Sequence, residues 1–117
     1  MTYDPNNIFA KIVRGEIPST CVYEDDYALC IKNINPEAEI HLLVLTKGQY
    51  TDFQDFHKNA PAAEIVGFNK AVTKMIAFED LDKTGYRLIT NCRGHSGQEI
   101  PHLHYHILGG EPLGKII

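Results

Sequence analysis

The chain has 117 residues, 44% of them hydrophobic and 22% charged, with 15 acidic against 11 basic side chains and a formal net charge of -4. A chain of that length makes one domain, residues 1–117, and buries roughly two thirds of the surface that its unfolded form exposes. The composition excludes wholesale disorder, and the acidic balance argues against a groove for polymeric DNA or RNA while leaving room for a mononucleotide.

Asp4-Pro5 predicts a helix start, and Ile8, Phe9, Ile12 and Val13 follow at helical spacing before Gly15 ends the turn. Cys21 to Tyr23 and Tyr27 to Ile31 are short β-prone runs separated by Glu24-Asp25-Asp26, the composition of a hairpin. Asn33 to Glu37, with Pro36, breaks the chain, and Ile40 to Thr46 is a strand ended by Lys47-Gly48. From Ala62 to Glu79, Ile65, Phe68, Val72, Met75 and Ile76 recur at intervals of three and four, which predicts the longest helix with one buried stripe. Asp82 to Gly85 is read as a turn, Tyr86 to Thr90 as a strand, Asn91 to Gln98 as a polar loop and Leu103 to Leu108 as a final strand before Gly109-Gly110. Two helices and five strands, mostly in hairpin order, predict an α+β fold with a five-stranded antiparallel sheet. An edge strand in so small a sheet invites pairing with a second subunit.

No apolar run approaches the ~20 residues of a membrane helix, and the N-terminus lacks the pattern of a signal peptide, so the expectation is a soluble, cytoplasmic protein. Cys21, Cys30 and Cys92 read as reduced packing residues.

The densest chemistry is Pro101-His102-Leu103-His104-Tyr105-His106-Ile107-Leu108. On a strand, alternate side chains share a face, so the three histidines point one way and Leu103, Tyr105 and Ile107 the other. Successive histidines then stand ~6.6 Å apart and the outer two ~13 Å. One reading is a metal site, in which a pair of these histidines and a third ligand such as His41 or His95 hold zinc for a metal-dependent hydrolase. The row is long for one ion, and the stretch holds no acidic residue. The other reading is phosphate chemistry, because a neutral imidazole is a nucleophile, its protonated form donates to phosphate oxygens, and both forms are accessible near pH 7. A surface strand with chance histidines is the bland alternative. His57, in a polar segment, reads as a solvated surface residue, and His95 stays open between a substrate lid and solvent.

His102-Leu103-His104-Tyr105-His106-Ile107-Leu108 resembles the histidine triad motif, His-φ-His-φ-His-φ-φ with φ apolar, of the histidine triad (HIT) superfamily. Ile8-Phe9-Ala10-Lys11-Ile12-Val13-Arg14-Gly15-Glu16-Ile17-Pro18 is similar to the family's N-terminal helix signature. Val22 to Asp26, Asn35-Pro36, His41 to Leu45, Gly97-Gln98 and Leu108-Gly109-Gly110 also sit at family spacing, so the likeness covers nearly the whole chain. The short C-terminus and the Gly-Gly resemble the Hint branch, particularly its bacterial members.

The resemblance implies a homodimer whose two sheets join into one, with a purine nucleotide as the small-molecule partner. It also implies hydrolysis of purine nucleoside 5′-phosphoramidates through a nucleotidyl-histidine intermediate, with no cofactor. By motif position His104 is the nucleophile. Its Nδ1–H is expected on a main-chain carbonyl, leaving the Nε2 lone pair toward phosphorus. His106 and the loop amides near Gly97 and Gln98 would stabilise phosphoryl charge, Asn91 matches the family's phosphate-side asparagine, and His102 and His41 would complete the row. Ile8, Phe9, Ile12, Ile17, Ile34 and Leu43 match the base pocket, a reading that overlaps with ordinary core. The family's ribose-binding acid is here Asn33, which predicts weaker nucleoside binding or an altered sugar preference. Glu99 stands beside the phosphate position, either helping the leaving amine or pointing to solvent. The two cysteines of zinc-binding relatives are here Asn7 and Ala10, so the resemblance implies no metal. A nucleotide-binding adaptor with residual catalysis is the alternative from another functional class.

Overall fold

Continuous apolar runs at residues 28–31 and 42–45 build a sheet with two buried faces. Its strands are β1 (Cys21–Glu24), β2 (Ala28–Lys32), β3 (Ile40–Thr46), β4 (Tyr86–Ile89) and β5 (His104–Gly109). They are antiparallel throughout, in the order β1-β2-β3-β5-β4. The helical segments are α1 (Ile8–Val13), α2 (Phe53–Asn59), α3 (Ala62–Phe78), α4 (Leu81–Thr84) and α5 (Arg93–Ser96). The structure, a computed structural model, describes residues 2–116; Met1 and Ile117, the ends of the expected domain, lie outside the described residues.

On one face, Ala28, Cys30, Leu42, Val44, Tyr105 and Ile107 pack against the α3 stripe of Phe68, Ala71, Val72, Met75 and Ile76. Phe68 is the hub, its ring 5.2 Å from that of Tyr105 and 5.4 Å from that of Phe56. Each such large apolar side chain contributes roughly 1.5–3 kcal/mol by leaving water. On the other face, Leu29, Ile31, Leu43 and Leu45 meet Phe9, Ile12 and Val13 of α1. That second face is only partly covered, because α1 is six residues long. The uncovered remainder is where the site lies.

Several expected boundaries move. The first helix begins at Ile8, not at Asp4-Pro5, because the Asn7 side chain accepts the Ala10 N–H at 2.9 Å and makes Asn7 the cap. Among the described residues the sheet has its five strands, but the expected two helices become five helical segments. α2 escapes a periodicity reading because Phe56 is its one buried residue. His57 is half-buried rather than solvated, its ring stacked on Phe53 at 3.9 Å. Residues 101 and 102 form a bend, so β5 begins at His104 and His102 stands just before it. Cys21, expected to pack, is exposed on β1, while Cys30 is buried and its thiol is pushed up to about 12 by that burial. Among the described residues no helix is long and apolar enough to cross a membrane.

Candidate active site

The register of β3 against β5 sets the site. His41 pairs with Leu108, Leu43 with His106, and Leu45 with His104. Directly opposed residues of an antiparallel pair share a face, so His41, His104 and His106 all lie on the partly covered side. They line a cavity of about 550 Å³. Ile8, Phe9, Ile17, Ile34 and Leu43 form its apolar part, and Asn33, Asn91, Gly97, Gln98 and Glu99 its polar rim. Ile34 is 90% exposed, an apolar side chain left in solvent at the mouth.

Backbone partners determine which nitrogen of each imidazole carries the proton. His104 Nδ1 lies 2.7 Å from the His102 carbonyl, so Nδ1–H donates and the Nε2 lone pair is free. The Phe9 ring packs edge-on to the His104 ring at 4.7 Å and sets its tilt. His41 Nδ1 accepts the Glu37 N–H at 3.1 Å, which leaves the proton on Nε2. His41 Nε2–H then donates to His106 Nδ1 at 2.9 Å, and His106 carries its own proton on Nε2. The site therefore offers a lone pair on His104 beside an N–H on His106, with the two rings 5.3 Å apart.

His102 does not join them. It is 1% exposed and does not line the cavity, which corrects the expected row of four phosphate-facing histidines. Its Nε2–H donates to the Thr46 carbonyl at 2.8 Å, and its Nδ1 accepts from the Tyr3 hydroxyl at 2.6 Å. The bend at 101–102 turns it inward, and what it offers the site is its main-chain carbonyl.

Burial lowers the pKa of all four histidines, because it penalises the imidazolium. His102 falls to about 4, with the Thr46 carbonyl opposing and the neighbouring His104 adding to the fall. His106 also falls to about 4, helped by its neighbours His104 and His41. His104 is lowered by burial, with the His102 carbonyl opposing, and His41 by burial with Glu37 opposing. Near neutral pH the site is a set of uncharged imidazoles.

Asn33 sits 3.2 Å from His41 through Nδ2, because its Oδ1 is taken by the Asn35 N–H at 2.9 Å. Two donors, Asn33 Nδ2–H and His41 Nε2–H, thus face one another. Gln98 lines the cavity, but its side-chain amide is spent on the chain itself: Nε2 donates to the carbonyls of Thr51 at 2.7 Å and Ile100 at 3.1 Å. Glu99 is exposed at the rim, whereas His95 is exposed and outside the cavity. Among the described residues no group of three or more His, Cys, Asp or Glu side chains is arranged to hold a metal ion. Tyr3, Thr46, Asp52 and Arg93 were not legible from sequence, since each acts through long-range bonds that leave no periodic trace.

The HIT domain family model matches residues 14–113. A HIT-like protein of Azospirillum brasilense is 47% identical over 116 residues, covering 99% of this chain and 95% of the relative. The purine nucleoside phosphoramidase of Escherichia coli strain K12 is 38% identical over 113 residues, covering 94% of this chain and 92% of that enzyme. Among solved structures, a histidine triad protein from Clostridium difficile superposes with a TM-score of 0.85 at 39% identity, covering 99% of this chain and 100% of that one. A HIT family hydrolase from Clostridium thermocellum gives 0.86 at 40% identity, covering 96% and 97%. With two of its triad histidines on the last strand, the third just before it, and a matching domain over nearly its whole length, the chain belongs to the HIT domain family.

Proposed function

We propose that this HIT protein hydrolyses purine nucleoside 5′-phosphoramidates to the nucleoside monophosphate and an amine, through a nucleotidyl-His104 intermediate. One observation carries the reading: the His102 carbonyl holds His104 Nδ1–H at 2.7 Å and leaves Nε2 as a lone pair in a protein-lined cavity. In the first step that lone pair attacks phosphorus, the P–N bond breaks, and the amine leaves with a proton taken up from solvent, giving a cationic nucleotidyl-imidazole. In the second, water attacks phosphorus, the P–Nε2 bond breaks, and the water's proton is released as His104 returns to neutral. His106 Nε2–H and the backbone amides near Gly97 are the donors available to the phosphoryl oxygens. The apolar pocket takes the base, and the 38% identity to an enzyme named purine nucleoside phosphoramidase supports both the bond and the base class.

The proposed enzyme is a cytoplasmic homodimer. Support for the dimer lies at β4, an outer strand of the sheet, where Tyr86 and Leu88 are exposed.

The test is turnover of adenosine 5′-phosphoramidate by the wild-type protein and by His104→Ala, each with and without excess EDTA. Turnover indifferent to EDTA and lost in His104→Ala, with nucleoside monophosphate binding retained, is the expected result. Loss in EDTA favours a metal-dependent hydrolase, and background-level turnover by the wild-type protein favours the adaptor.

A further inference from the structure

One rim of the cavity is held in place by a pair of residues outside the proposed chemistry. Asp52 is 1% exposed, and its carboxylate is shared between two elements. Oδ1 accepts the Asp55 N–H at 2.9 Å and caps α2, while Oδ2 accepts Arg93 Nε–H at 3.1 Å. Arg93 opens α5, in the segment between β4 and β5 that carries Asn91, Gly97, Gln98 and Glu99 to the cavity.

Arg93 has φ +64, in the left-handed region that costs a residue with a side chain roughly 1–2 kcal/mol. Such a conformation persists where its surroundings fix it, and four hydrogen bonds do so here. Gln98 Oε1 accepts the Arg93 N–H at 2.7 Å. The Arg93 carbonyl accepts the Gln98 N–H at 3.1 Å and the Ser96 hydroxyl at 2.9 Å. Asp52 holds the guanidinium as the fourth. Gln98 Nε2 then reaches the Thr51 carbonyl at 2.7 Å, so the loop is tied twice to the Thr51-Asp52 segment.

Each member of the pair is unfavourable by itself. Glycine would adopt this φ without penalty, and the Arg93 side chain is 61% exposed, so it gains little by packing. Serine or asparagine would cap α2 as well as aspartate does, without burying a charge. The two make sense together: the buried carboxylate obtains its cation, and the cation fixes the loop.

We propose that Asp52 and Arg93 form a latch that positions the Asn91–Glu99 loop against His104, so that it governs the rate of phosphoryl transfer more than the affinity for nucleotide. This rests on the proposed hydrolysis. The loop borders the phosphate end of the cavity, whereas the apolar base pocket is built on α1, β3 and the segment after β2. A loosened loop therefore misplaces donors in the transition state and leaves the base contacts intact, and displacements of about 1 Å can cost up to 10²-fold in rate.

The variants are Asp52→Ser, which keeps a cap and removes the charge, Arg93→Gly, which relieves the backbone and removes the guanidinium, and Arg93→Lys, which keeps the charge. Three quantities are read: kcat and KM for adenosine 5′-phosphoramidate, Kd for AMP, and hydrogen exchange of the amides of residues 94–98. In Asp52→Ser and Arg93→Gly, kcat falls on the order of tenfold, Kd for AMP stays within about twofold, and the loop amides exchange faster. Arg93→Lys recovers part of kcat, and the double variant is no worse than the poorer single one. An unchanged kcat in both, a rise in KM with kcat intact, or additive losses overturn the latch. If the wild-type protein turns over no phosphoramidate, the hydrolytic reading fails on its own, and the latch then stands if loop exchange accelerates in both variants and falls if it does not.

Discussion

Asn33 shows how one residue sets the protonation of the site. Its Nδ2 stands 3.2 Å from His41 Nε2, which already carries a proton for His106. An amide there cannot favour the imidazolium, and burial lowers the pKa of His41, His104 and His106 together. The nucleophile must be neutral to attack, so activity is retained as pH falls until His104 takes up a proton. Because that pKa lies below the ordinary value of about 6.5, the acid limb of kcat/KM should have its midpoint below 6.5. Asn33→Asp places a carboxylate within reach of His41 Nε2–H, and its negative charge raises the pKa of His41 and, at longer range, of His104. The acid limb of the kcat/KM profile should then move upward, and affinity for a nucleoside monophosphate should rise because a carboxylate accepts from sugar hydroxyls more strongly than an amide. Profiles and affinities that superpose for the two proteins would remove Asn33 from both roles.

At the scale of elements, the sequence is most transparent where one face repeats. β3 is found at its expected bounds, Ile40–Thr46, because six of its seven residues are buried and no polar residue interrupts the run except His41. α3 follows from its stripe, and the shared face of His104 and His106 follows from alternation along β5. His102 breaks the pattern because the rule holds only within a strand, and the bend at 101–102 precedes β5. The latch was invisible for another reason: Asp52 and Arg93 are 41 positions apart and meet through a single bond. The Gly109-Gly110 pair was legible as punctuation but not as packing. Gly109 is the last residue of β5, and a Cβ there would stand 2.6 Å from Leu81 Cδ2. Like β1, β4 is an edge strand that the single chain leaves unpaired on one side. It pairs with β5 on one side, and Tyr86 and Leu88 are exposed. An unpaired strand edge with apolar side chains is a template for a second strand, and the proposed dimer uses it. Leu88→Asp, at an exposed position, should leave the monomer folded and weaken self-association by one to two orders of magnitude in Kd, about 1.4–2.8 kcal/mol, read by sedimentation equilibrium. A dimer of unchanged affinity would place the interface elsewhere.

For the whole molecule, the same burial that keeps the imidazoles neutral makes folding depend on pH. His102 titrates at about 4 in the folded state and near 6.5 when unfolded. Between those values the unfolded chain binds the extra proton, so stability rises with pH across that window and falls as pH drops from about 6.5 toward 4. For a group 1% exposed, the full difference is of the order of 3 kcal/mol. His104, His106 and His41 are shifted in the same direction and add to the slope. The carboxylates act in a different window. Burial opposes ionisation of Asp25, but the N–H groups of Tyr27 and Ala28 and the Tyr23 hydroxyl outweigh it. Asp55 is likewise lowered, its burial outweighed by Thr51 and Asn59. Their folded pKa values lie below the unfolded ones, so the stability they contribute is lost only at still lower pH. Urea midpoints measured at one protein concentration should be level above pH 7 and fall from pH 6.5 to 4, before the carboxylate region begins. His102→Gln keeps an N–H for the Thr46 carbonyl and cannot titrate. Its midpoint should therefore be lower than wild type at pH 7, where the packing change is felt, and less steep from 6.5 to 4. Parallel curves for the two proteins would mean that His102 takes up no proton on unfolding, and the acid sensitivity would then belong to the three histidines that line the cavity.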